Sequence, residues 1–170
     1  MNENELIGLL ESLRRMGSDD LSVEVKESAT TLSRDVWETV SAFANTAGGI
    51  IVLGVSERAG FVPVEDFETE KVLNQFVAGM GDAGGRGKLA NPPKYTIERV
   101  ELRGTVVLVI TIEELDPSSK PCYVIERGAQ GGSYKRIDDK DVPLSSTEVL
   151  ALASYGRATP SDRDAVVGAG

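Results

Sequence analysis

Residues 41–55 read SAFANTAGGIIVLGV, and this stretch decides the fold. Its left half continues a helical pattern in which Leu32, Val36, Val40, Phe43 and Ala44 share one face, with Trp37 at the flank, over about residues 32–46. Its right half, Ile50 to Val55, is apolar throughout, as a central strand covered on both faces must be. Between them stand Asn45, Gly48 and Gly49, residue types that tolerate the positive φ of a helix C-cap. Two readings follow: the glycines only make a tight turn, or they let another chain or ligand approach the backbone, with Asn45 as a polar handle.

Working outward, Leu6, Leu9, Leu10 and Leu13 predict a helix over residues 5–16, ended by Gly17. SVEVK (22–26) alternates, which predicts a short strand with Val23 and Val25 inward and a Glu24/Lys26 pair on an open face. Residues 56–66 read as a loop and 67–78 as a helix with Val72, Leu73, Phe76 and Val77 inward. GMGDAGGRGK (79–88) is too glycine-rich for regular structure and is expected to be mobile. Strands at 94–102 and 105–112 form a hairpin about Arg103-Gly104, and 121–126 with 132–137 are expected to form a second strand pair. Ser145 to Glu148 is a capping box opening a last helix. The predicted fold is α+β, a mixed sheet flanked by helices, in one domain over 1–157; residues 158–170 read as a disordered tail or a linker to a further C-terminal module.

The composition excludes several chemistries. The chain has 170 residues, one cysteine and no histidine, so no internal disulfide, no Ser-His-Asp or Cys-His catalysis and no histidine-bound zinc is available. No apolar run approaches the length of a membrane span, and the acidic N-terminal residues do not resemble a secretion signal, so a cytoplasmic protein without membrane contact is expected. The formal net charge is −9, which opposes contact with polyanions. The charge is unevenly spread: residues 1–85 hold six Lys/Arg and fifteen Asp/Glu, whereas 86–140 hold ten basic and eight acidic residues. Any basic surface must come mainly from the middle of the chain.

Four stretches carry candidate chemistry. GDAGGRGKL suggests a phosphate loop but has Asp82 where the first glycine belongs and leucine after Lys88; Arg86 and Lys88 remain able to touch a backbone phosphate. Glu24-Val25-Lys26 has the ExK form of two-metal nucleases, or is a solvated strand face. Tyr134-Lys135-Arg136 offers an aromatic for base stacking and two cations for phosphate, or is an edge strand with solvated charges. The Asn45/Gly48/Gly49 turn is the fourth.

Taken in order, VEVKES, SAFANTAGGIIVLGV and SYKRIDDKDVPLSSTEV resemble the Schlafen-type Alba-like domain, over residues 5 to about 155. The resemblance implies an α+β fold and nucleic-acid binding, DNA or RNA, often within a bacterial transcriptional regulator. On that reading Lys26, Arg34, Lys135 and Arg136 would contact the backbone, Tyr134 would stack, and Asn45, Gly48 and Gly49 would border the ligand, with no cofactor required. In eukaryotic relatives it implies a carboxylate-dependent endoribonuclease. Carried over, Asp19, Glu24 and Glu57 would hold Mg²⁺ or Mn²⁺ and Lys26 would stabilise the transition state. The zinc ligands of animal relatives have no counterpart. A third possibility is a scaffold that forms a homodimer and has no ligand of its own.

Overall fold

The structure, a computed structural model, describes residues 1–16 and 22–155. Asp19 and the proposed tail at 158–170 therefore lie outside the described residues. At its centre is a four-stranded sheet in the order β1 (Val23–Lys26), β2 (Gly49–Leu53), β7 (Thr105–Ile112), β6 (Tyr95–Leu102). β1 and β2 run parallel, Val23 opposite Ile50 through Lys26 opposite Leu53, and the other two ladders are antiparallel. A parallel pair needs a crossover, and α2 (Val36–Asn45) supplies it.

The apolar run of β2 is explained by burial on both faces. Val52 faces α1 (Glu3–Met16), packing with Leu6, Leu10, Leu13, Val107 and Val109. Ile51 and Leu53 face α2 and α3 (Thr69–Gly79), packing with Phe43, Phe76, Leu108 and Ile110. The result is three layers, one helix, the sheet and two helices, each side with its own apolar cluster. β6 and β7 turn at Arg103 and Gly104, both at positive φ (49° and 86°), the geometry of a two-residue hairpin that matches the strand twist.

The rest of the chain adds small two-stranded units: β3 (Val55–Ser56) with β4 (Val62–Pro63), β5 (Leu89–Ala90) with β8 (Tyr123–Val124), and β9 (Tyr134–Ile137) with β10 (Lys140–Pro143). The expected pairing of 121–126 with 132–137 is corrected here. The two segments share one bridge, Tyr123 to Ser133, while β9 folds back on β10 across Asp138-Asp139. The local hairpin wins because its closure costs less chain entropy, and Asp138 accepts the positive φ (53°) that the turn needs. The capping box forms as written: Glu148 N–H donates to Ser145 Oγ (3.1 Å) and Ser145 N–H to Glu148 Oε1 (2.9 Å), opening the helix 146–155.

The start of α2 also differs from the pattern. Residues 32–35 lie outside the helix, 34–35 as a turn, with the Leu32 N–H donating to Gln75 Oε1 at 2.7 Å. The glycine-rich segment has no regular structure but is tied at both ends: Asp82 N–H donates to Val77 O and Lys88 N–H to Gly79 O (2.6 Å). No helix among the described residues is long and apolar enough to cross a membrane.

Candidate nucleic-acid interface

The question raised by residues 41–55 has a structural answer: what approaches the two glycines is the chain itself. A Cβ on Gly48, at φ 71°, would stand 2.7 Å from Ile112 O, and one on Gly49 would stand 2.8 Å from the Phe43 ring and from Ser22 O. Asn45 is fully committed. Its Nδ2 donates to Cys122 O and Tyr134 O (both 2.9 Å) and its Oδ1 accepts from Cys122 N–H (2.8 Å), with Ser41 Oγ bonded to the same carbonyl of Cys122 (2.7 Å). The amide thus fastens β8 and β9 to the end of α2. These three residues are packed against and bonded to their own chain.

Arg136 is likewise internal. It is 4% exposed, donates through one Nη to Glu24 Oε1 (2.8 Å) and Asp141 Oδ1 (2.9 Å), and lies 5.1 Å over the Phe43 ring. Burial opposes its charge, but the two carboxylates outweigh that and raise its pKa, so it stays a cation. Lys26 Nζ meets Asp35 at 3.1 Å and Lys135 Nζ meets Glu148 at 2.7 Å. Tyr134 is 6% exposed, with its hydroxyl bonded to Arg127, so its ring offers no open stacking platform. The β1 face expected to be open is covered: the side chains of Glu24 and Lys26 are 15% and 10% exposed. The reason is electrostatic: buried charges persist where partners are supplied, here Arg136 on β9 for Glu24 and Asp35 at the start of α2 for Lys26.

The carboxylates proposed to hold a metal are not brought together among the described residues. Glu24 is bound to Arg136, while Glu57 is exposed and borders a shallow hollow with Glu27 and Arg58. No group of three or more Asp, Glu or Cys side chains among the described residues is placed to hold a metal ion. Asp19 lies outside the described residues.

The cations that do converge come from elsewhere. Arg34, Arg86, Lys88 and Arg127 line one cleft of about 400 Å³. Arg34 stands in the turn before α2, Arg86 and Lys88 on the glycine-rich segment, and Arg127 in the turn after β8. Trp37, Val124 and Ile125 give the cleft apolar wall, and Glu38 and Glu126 are its two acids. Trp37 is fixed by stacking on Phe76 (centroids 5.4 Å apart, 24° between planes) and by Gly79, where a larger residue would collide with the indole.

Arg127 Nη1 donates to Glu38 Oε2 at 3.1 Å and its guanidinium lies 5.9 Å over the Tyr134 ring. Glu38 first, then Tyr134, hold its pKa above the ordinary arginine value. Four cations against two carboxylates make this concavity locally positive on a chain of net charge −9. Three of the four fall within residues 86–140, the segment with a basic excess; Arg127 and Trp37 carried no motif signal because each sits in an unremarkable local sequence.

Comparison with known proteins agrees with this architecture. The N-terminal domain of a Nitrosomonas europaea protein described as related to the ATP-dependent DNA helicase RecG superposes with a TM-score of 0.58 and 27% identity, over 79% of this chain and 89% of that one. The DIP2311 protein of Corynebacterium diphtheriae shares the fold (TM-score 0.50, 17% identity) over 91% of this chain and 28% of its own. No curated protein matches the sequence. The sequence pattern of the family described as Schlafen, AlbA_2 matches residues 19–145, from before β1 to the capping box, and the chain belongs to that family.

Proposed function

We propose that this domain binds nucleic acid, DNA or RNA, with phosphates held by Arg34, Arg86 and Lys88 along the cleft and Arg127 beside them. One observation carries the reading: cations from three separate segments meet at one concavity although the molecule as a whole is acidic. Local convergence of this kind lets an acidic protein grip a polyanion, since association depends on the field near the site and not on net charge alone. Membership of the Schlafen, AlbA_2 family and similarity to a domain of a RecG-related protein support it. Binding of this kind requires no metal. The finer reading is a cytoplasmic, homodimeric bacterial transcriptional regulator in which this domain holds the nucleic acid; sedimentation of the purified chain tests the dimer.

The test of binding is its salt dependence. Three phosphate contacts release counterions with a slope of about −2 to −3 in log K against log salt. Between 50 and 200 mM salt the affinity for a labelled oligonucleotide then falls roughly 30-fold. The Arg86→Ala/Lys88→Ala double variant should bind more weakly with a slope of about −1. Binding by the double variant indistinguishable from that of the parent, or no binding at 50 mM salt, would refute the assignment.

A further inference from the structure

The geometry points to single-stranded nucleic acid as the ligand, with one unpaired base entering the cleft and its phosphates staying at the rim. This rests on the nucleic-acid reading above and narrows it. The first argument is shape. A duplex presents a convex surface and is read by an element that protrudes into a groove. Here the cations surround a hollow of about 400 Å³, in the range of pockets that enclose a small molecule, and a duplex cannot enter it. An unstacked base can.

The second argument is the distribution of charge. Glu38 and Glu126 line the same cleft as the four cations. A phosphate inside the cleft would be repelled by these carboxylates, whereas a neutral base would not. Carboxylates also accept hydrogen bonds from base amines, so the acids that repel a phosphate favour a base edge. Arg86 and Lys88, both exposed and two residues apart on the rim-lining segment, are placed for the phosphates on either side of that base.

The third argument is the apolar wall. Trp37, Val124 and Ile125 border the cleft, and Arg127 is held by Glu38 and Tyr134 beside them. Aromatic and apolar side chains combined with arginine are the usual surroundings of a base taken out of its stack. Trp37 is the only tryptophan in the chain, so in the folded protein tryptophan emission comes from one residue on the wall of this cleft.

The experiment titrates the full chain at 50 mM salt with a mixed-sequence 12-nucleotide single strand and with a blunt hairpin duplex of the same nucleotide number, following ligand anisotropy and Trp37 emission together. The expected result is at least tenfold tighter binding of the single strand, with emission quenched in proportion to anisotropy. Arg86→Ala/Lys88→Ala should weaken the binding of the single strand. Equal or tighter duplex binding overturns the single-strand inference and leaves the nucleic-acid reading standing. Binding of the single strand with unchanged Trp37 emission removes the base from the cleft. Failure of both ligands to bind overturns both readings.

Discussion

Arg136→Met separates the internal from the external use of charge in this fold. Methionine keeps most of the apolar stem and removes the guanidinium, so the change reports on charge more than on packing. The Arg136 side chain is 1% exposed and its partners Glu24 and Asp141 are 15% and 13% exposed. Without the guanidinium the two carboxylates remain, little exposed and without the cation that bridges β1 to β10. Removing one partner of a buried ion pair costs about 3–5 kcal/mol, against a total stability of about 5–15 kcal/mol for a domain. At about 2–4 °C per kcal/mol for a chain of this size, Tm should fall by roughly 6–20 °C.

Urea denaturation followed by Trp37 emission measures the loss directly. Lys71→Met is the control: Lys71 meets Glu68 at 3.7 Å with both side chains about half exposed, and its loss should change stability by no more than about 0.5 kcal/mol. Glu24→Gln in the Arg136→Met background should recover part of the loss, because it removes one of the two stranded charges. A loss below about 1 kcal/mol for Arg136→Met, or no recovery in the double variant, would refute the claim that Arg136 is the resident cation of this carboxylate pair.

Three further outcomes are expected. Glu38→Gln replaces a carboxylate acceptor of the cleft with a weaker one, so affinity for the single strand should fall about two- to fivefold by anisotropy; tighter binding would mean that Glu38 only repels the ligand and accepts nothing from the base. Asn45→Ala leaves the carbonyls of Cys122 and Tyr134 and the Cys122 N–H without their partner, and should cost about 2–4 kcal/mol in denaturation while leaving the affinity of the folded protein unchanged; lost affinity at unchanged stability would return Asn45 to the ligand. Lys135 first, and the Ser145 N–H next, hold the Glu148 carboxyl down to about 2 from its usual 4.5. A depressed folded-state pKa stabilises above the unfolded value and is lost as pH falls through the folded one, so the helix 146–155 should loosen between about pH 4.5 and pH 2, seen as faster amide exchange confined to that helix.

The features legible in the sequence were those set by local periodicity or capping. Four-residue alternation gave β1, a six-residue apolar run gave β2, and Ser145 with Glu148 gave the last helix start, because each is determined within one turn or one strand of chain. The site was less legible, and β9 shows why. Tyr134-Lys135-Arg136 read as one cationic, aromatic surface, yet a strand sends successive side chains to opposite faces: Tyr134 and Arg136 point in and Lys135 points out. Burying an arginine there requires two carboxylates at the right places, and these come from Glu24, far away in the sequence, and from the opposing strand at Asp141. No local pattern encodes that supply.

The cleft has the inverse history. Arg34, Arg86, Lys88 and Arg127 form no motif together: Arg86 and Lys88 stand in an imperfect phosphate loop, Arg34 enters through the family resemblance alone, and Arg127 falls only within the basic excess over 86–140. In this chain the cations of the most conspicuous motifs, Lys26, Lys135 and Arg136, are paired with carboxylates, and the ones facing a concavity come from a weak motif or from none. A conspicuous basic run is therefore a weak guide to an interface in an acidic protein: with 27 acids against 18 bases, a cation is more readily paired than exposed, and the informative ones are those that the fold places side by side in a single hollow.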